Sequence, residues 1–156
     1  MKNFLLLFAL LFATHLYSQN PKMSTQKIHA LRLNPGDDLK VKLNEFLQKE
    51  KIEAGYILTC VGSLRELSLR LANQKESTVV KNKFEIVSLM GTLSQDGLHL
   101  HLSAADSTGK VIGGHLTDGN IIYTTAEIVI GESKDYVFKR ETDSLTTFKE
   151  LKIIKK

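Results

Sequence analysis

Three histidines close together in the chain are the residues whose types and spacing could do chemistry. His99 and His101 alternate with leucines, and His115 follows a pair of glycines. Strict alternation of apolar and polar residues is typical of a half-buried strand, so His99 and His101 should project from the same face. The sequence thus places two imidazoles side by side and offers a third nearby.

A tight hairpin would return the third histidine to that face. A three-residue loop over 107–109, ending in a glycine that can adopt the left-handed conformation, sets the register. Counting outward from this loop puts His101 opposite His115 and His99 opposite Thr117. Directly opposed residues share a face, with Cβ atoms ~5 Å apart. A two-residue loop would instead send His115 to the other face.

Three neutral imidazoles at this spacing suit a divalent metal ion. They can hold zinc at roughly 2.0–2.1 Å per nitrogen and leave a fourth position open for water or a small-molecule ligand. Zinc is the expected ion, although nickel, copper and cobalt accept the same ligands. The alternative is a polar strand face that contains histidines and no metal.

Each ligating histidine should also donate its second ring nitrogen to a partner. The polar candidates for this role are Asp106, Thr117 and Glu127. The pattern assigns no reaction and no catalytic residue. Metal-assisted hydrolysis of a small substrate is one chemistry that an open zinc site supports.

The N-terminus has the order of features typical of a secretory signal. Lys2 precedes a continuous apolar run over 4–13, and polar residues follow it. The run is far shorter than the ~20 residues of a membrane-spanning helix. We therefore expect residues 1–19 to be a signal peptide, with Ser18 or Gln19 as its last residue. The mature protein would be periplasmic or secreted, with no membrane attachment.

Charge distribution and cysteine content argue against a nucleic-acid-binding surface and against a fold held by disulfides. The chain carries a formal net charge of +4, and the predicted signal contains only one of the basic residues. The charges are interspersed, whereas a phosphate-binding surface would cluster them, so DNA is not an expected partner. Cys60 is the single cysteine, which excludes an intramolecular disulfide. Its apolar neighbours predict a buried strand.

The remaining chain predicts one α+β domain. Residues 20–27 are a flexible lead-in, and 28–156 form a mostly antiparallel sheet with one main amphipathic helix packed on it. The turn 34–37 supplies the cap of this helix, and from Asp38 the apolar residues recur at helical spacing. Segments 85–92 and 121–130 are expected to be central strands covered on both faces. The predicted strands lie at 28–33, 56–61, 64–72, 84–94, 98–105, 111–116, 121–130, 136–139 and 146–154, with turns at 62–63 and 131–133.

The motifs together resemble the plants-and-prokaryotes-conserved domain, which also forms the body of plant AT-hook nuclear proteins. The likeness covers residues 26–140 and rests on the segments 84–92, 99–101, 109–115, 119–120 and 125–127. It implies a homotrimer, with the Phe-Glu-Ile strand near the contacts between subunits. It also implies that His99, His101 and His115 are metal ligands, because they match the family's histidines.

The resemblance leaves three functional hypotheses. The leading one is an exported homotrimer with a three-histidine divalent metal site. The second is a DNA-binding module like the AT-hook relatives, which bind DNA through a separate Arg-Gly-Arg-Pro motif that is absent from this sequence. The third is a trimer without metal that serves as a structural or interaction platform.

Overall fold

The computed structural model describes residues 25–156. The predicted signal peptide, residues 1–19, and residues 20–24 of the predicted lead-in lie outside the described residues. The first strand begins at Gln26, two residues before the predicted start, because Gln26 already pairs with Ser133. Within the described part of the chain, no helix is long and apolar enough to cross a membrane.

One helix and nine strands make up residues 25–156. Their bounds are β1 Gln26–Leu33, α1 Leu39–Glu50, β2 Gly55–Arg70, β3 Ser77–Val80, β4 Phe84–Ser94, β5 Gly97–Ala105, β6 Val111–Leu116, β7 Ile121–Ser133, β8 Tyr136–Thr142 and β9 Lys149–Lys155. This confirms the prediction of a mostly antiparallel sheet with one helix.

Seven strands form one sheet, in the order β1-β7-β2-β4-β5-β6, and β3 pairs with β2. Every pairing is antiparallel. The end of β2 also pairs with β6, through Leu69 with Leu116 and Arg70 with His115. The strands β2, β4, β5 and β6 therefore form a closed circuit of pairings. The last two strands, β8 and β9, form a separate hairpin.

The helix has the predicted leucine face, but its cap lies one residue beyond the predicted capping turn 34–37. Asp38 is the N-cap, and its carboxylate accepts hydrogen bonds from the backbone N–H groups of Lys40 and Val41. Leu39, Leu43 and Leu47 recur every four residues, so they share one face, and all three are fully buried against the sheet. Burial of each such side chain is worth roughly 1.5–3 kcal/mol.

Two buried features tie strands together. Cys60 is buried in β2, as predicted, and burial raises the pKa of its thiol to about 12, so it packs as an apolar residue. Nε2 of His29 in β1 lies 3.0 Å from a carboxylate oxygen of Glu132 in β7, and both residues are buried. The backbone N–H of Glu53 donates to the other oxygen of Glu132 at 3.3 Å.

The second face of the sheet is largely uncovered within a single chain, so the expectation of double coverage for 85–92 and 121–130 is wrong at this level. Both strands are central in the sheet, yet Val87 is 57% exposed and Tyr123 is 39% exposed. The helix and the core occupy the other face. The uncovered face also carries Ile28, Leu58, Val61 and Met90, each 45–55% exposed.

The turns predicted at 62–63 and 131–133 are wrong. Strand β2 runs unbroken through Gly62, which has a φ of +150° and marks a shift in register against β7. A Cβ at this position would lie 2.1 Å from the carbonyl oxygen of Thr125, so only glycine allows this approach. Strand β7 likewise continues to Ser133, and the chain turns after it.

Candidate metal centre

The β5–β6 hairpin has the predicted loop and register. Gly109 has a φ of +81°, and the backbone N–H of Asp106 donates to the carbonyl of Lys110 at 3.0 Å. His101 lies directly opposite His115. The local alternation and the glycine of the loop are therefore sufficient to place these two imidazoles on one face.

Strand β4 fixes the other side of the hairpin. His99 lies opposite Thr92, and His101 lies opposite Met90. Gly91 stands between these partners, and a Cβ there would lie 2.0 Å from the carbonyl oxygen of His99. The absence of a side chain at Gly91 thus permits the close approach of β4 to the histidine strand.

The three imidazoles converge. The ring centroids of His99 and His101 are 5.2 Å apart, those of His99 and His115 are 5.0 Å apart, and those of His101 and His115 are 5.7 Å apart. One ring nitrogen from each residue lies within 4.8 Å of the others. His99 and His101 are exposed, and His115 is half-buried.

His115 contains an unsatisfied polar atom. Its Nδ1 is buried and has no hydrogen-bond partner among residues 25–156. Buried polar atoms in native proteins nearly always have a partner, so an exception points to a missing ion, water or ligand. A metal ion held by the three histidines would be such a partner.

The electrostatic surroundings keep two of the rings neutral. Burial, followed by the positive charge of Arg70, lowers the pKa of His115 to about 4. Burial, followed by the charge of Arg140, also lowers the pKa of His99 below its usual 6.5. Both imidazoles are therefore neutral at pH 7, the form that offers a lone pair to a metal. The donor set fits an open three-histidine site for zinc or a similar ion.

The structure places the three expected hydrogen-bond partners of the histidines in other interactions. The carboxylate of Asp106 accepts from Thr108 and from the backbone of Lys110, within its own turn. The Thr117 hydroxyl donates to the carbonyl of Ser68 at 2.9 Å. Glu127 is exposed on β7 and pairs in register with β1 and β2. None of the three hydrogen-bonds to a clustered histidine within the described chain.

Sequence reasoning missed two residues that lie beside the cluster. Arg70, at the end of β2, pairs in register with His115. Arg140, in β8, donates to the hydroxyl of Thr92 at 2.7 Å, opposite His99. Both arginines are distant from the histidines along the chain, so local pattern could not reveal them.

A seven-stranded antiparallel sheet, one covering helix and a histidine cluster on its hairpin define the class of this domain. The sequence model of the Plants and Prokaryotes Conserved (PCC) domain matches residues 21–134, so the chain belongs to this family. This confirms the resemblance carried by its motifs. Residues 135–156, which contain the β8–β9 hairpin, lie beyond the matched segment.

One similar protein is much longer than this chain. A Bifunctional protein GlmU from Synechococcus is 46% identical over 129 residues, which are 83% of this chain and 21% of GlmU. The chain thus spans about a fifth of the length of that relative.

Two solved structures share the fold. A hypothetical protein from Salmonella enterica is 38% identical, with a TM-score of 0.83, over 86% of this chain and 98% of that one. A metal-containing protein from Archaeoglobus fulgidus is 25% identical, with a TM-score of 0.66, over 84% of this chain and 99% of that one.

Proposed function

We propose that this chain is an exported, homotrimeric protein that holds one divalent metal ion, with zinc as the expected ion, on His99, His101 and His115. The observation that carries the proposal is the convergence of three imidazoles, with one ring nitrogen from each within 4.8 Å of the others. The similar protein from Archaeoglobus fulgidus, which is described as metal-containing, supports it.

His99, His101 and His115 would hold the zinc ion, which would supply a Lewis acid able to polarise a small ligand or lower the pKa of a bound water. The chain's own part is to hold the three rings on one hairpin and to keep His99 and His115 unprotonated. His101 and His115 are fixed by direct strand pairing, and His99 is fixed against β4. A site built on strands is positioned more precisely than one on loops.

Metal analysis of the purified protein tests the site. We expect about one zinc per chain after zinc loading and dialysis, and no retained zinc when His99, His101 and His115 are all replaced by alanine. His29→Gln is the matched control, because it removes the remaining histidine of residues 25–156 and should retain zinc. Equal zinc retention by the triple variant would refute the proposal.

The uncovered sheet face supports the trimer. Val87 and Met90 of β4 are more than half exposed on the face of the sheet that the helix does not cover. Apolar surface of this kind marks a contact site. We expect light scattering to give the mass of three chains, and Val87→Lys to shift it toward the monomer. A monomeric wild-type protein would refute the trimer.

Export and the DNA alternative are tested separately. Expression in a Gram-negative host should give a periplasmic protein whose N-terminus is Gln19 or Asn20, whereas an uncleaved cytoplasmic chain would refute export. A gel shift with AT-rich duplex DNA that weakens with salt would favour the DNA-binding alternative instead.

A further inference from the structure

A cavity of about 410 Å³ opens beside the histidine cluster. Its walls come from separate parts of the chain: Arg70 at the end of β2, His99 and His115 on the hairpin, and Arg140, Phe148 and Lys149 from the C-terminal β8–β9 hairpin. This volume lies in the range of small-molecule sites, roughly 300–1,000 Å³. Two residues of the histidine cluster, His99 and His115, thus form one wall of a cavity that can accept a ligand.

The β8–β9 hairpin is held in place by directed hydrogen bonds. The backbone N–H of Arg140 donates to the Asp96 carboxylate at 3.0 Å, and the Lys139 ammonium donates to its other oxygen at 3.2 Å. The Ser94 hydroxyl donates to the carbonyl of Phe138 at 2.9 Å. These contacts fix the hairpin against the β4–β5 turn, so the Arg140 wall has a defined position.

The two arginines of this cavity have no carboxylate partner. Arg70 forms no side-chain hydrogen bond and no ion pair among residues 25–156. Among residues 25–156 the Arg140 guanidinium donates only to Thr92, an uncharged residue, and the Glu150 carboxylate acts on it without forming an ion pair.

The acidic residues of the wall do not cancel this charge. Asp96 is engaged by Lys139 and by the backbone of Arg140, which hold its pKa below the usual range. Glu150 accepts a hydrogen bond from the Thr146 hydroxyl, and its negative charge offsets part of the positive charge of Arg140. Two half-buried guanidinium groups therefore remain available, and guanidinium binds carboxylates with paired hydrogen bonds.

We propose that this cavity binds an organic carboxylate, with its acid group at Arg70 and Arg140 and its apolar part against Leu98 and Phe148. The proposal deepens the proposed function and rests on it, because the acid group would lie next to the open position of the metal ion. The apolar residues of the wall favour an organic acid over an inorganic anion.

Calorimetric titration with phenylacetate tests the proposal, with phenylacetamide as the uncharged probe of the same shape. The purified chain is titrated with and without bound zinc. We expect saturable phenylacetate binding and no phenylacetamide binding. Arg70→Gln and Arg140→Gln should each weaken phenylacetate binding by about tenfold or more. Lys155→Gln is the matched control, because it removes one exposed positive charge from the same hairpin outside the cavity.

Arg140→Gln also removes the bond to Thr92, so Arg140→Lys and a melting curve accompany it. If Arg140→Gln does not fold, Arg70→Gln decides the outcome. Equal binding of both probes, or unchanged affinity in the folded arginine variants, would overturn the proposal. Zinc content is measured separately, so arginine-dependent binding to a chain that retains no zinc would refute the metal site and leave this inference standing.

Discussion

Replacing His115 by leucine should stabilise the metal-free protein and abolish its response to zinc. The Nδ1 atom of His115 is buried without a partner among the described residues. Leaving a buried polar atom unpaired costs about 1–3 kcal/mol. Leucine fills a similar volume and carries no polar atom, so the variant avoids this cost. Because the ring is only half-buried, we expect the lower end, about 1 kcal/mol.

Thermal unfolding followed by circular dichroism measures both effects. For a domain of this size, 1 kcal/mol corresponds to a rise in Tm of about 3–5 °C. Zinc at about 100 times its Kd stabilises a protein by about 2.7 kcal/mol, so it should raise the wild-type Tm by about 8–13 °C. The metal-free His115→Leu variant should therefore melt about 3–5 °C above the wild type, and zinc should not raise its Tm further.

His101→Leu is the control for this experiment, because the His101 residue is exposed. It should lose the zinc response without gaining stability in the metal-free state. If metal-free His115→Leu melts below the wild type, the unpaired Nδ1 of His115 does not destabilise the folded protein. If zinc still raises its Tm, His115 is not a ligand.

Three further substitutions test the frame around the site. Gly91→Ala forces a Cβ to 2.0 Å from the His99 carbonyl at a φ of +140° and should cost about 2 kcal/mol or more in urea unfolding, with weaker zinc retention. Asp38→Ala removes the helix cap and the acceptor of the Gly119 N–H at 2.6 Å, so the free energy of unfolding should fall by about 1 kcal/mol. Asp38→Asn keeps a capping oxygen and should retain most of the lost stability. Burial raises the pKa of Glu132, but hydrogen bonds from His29 and the backbone outweigh it and hold that pKa below 4.5. The wild type should therefore lose stability as pH falls below about 5, and Glu132→Gln should flatten this slope.

The local part of the site could be predicted from the sequence. The alternation around His101 and the glycine of the loop lie within one hairpin, so they decide the register without reference to the rest of the chain. The helix was predictable for the same reason, since Asp38 and the buried leucines are neighbours along one segment. Where the residues that determine an element lie within one segment of the chain, the sequence is sufficient to predict that element.

The distant part of the site could not be predicted. Arg70 reaches His115 only because β2 runs unbroken through Gly62 and then pairs with β6. The sequence around Gly62 looks like a turn, and only the close approach of β7 shows that the glycine accommodates a shifted strand. Asp106 was expected beside the histidines, but its nearest donors lie in its own turn.

The charges of the site predict how metal and ligand act on each other. Arg70 and Arg140 oppose protonation of His99 and His115, and the same field opposes a bound dication. A carboxylate at the two guanidinium groups offsets this repulsion. The metal ion in turn adds positive charge next to the acid group. Zinc should therefore raise carboxylate affinity, and by thermodynamic reciprocity phenylacetate should raise zinc affinity by the same factor. Replacing Arg140 should reduce the effect of zinc on phenylacetate affinity and the effect of phenylacetate on zinc affinity by the same factor.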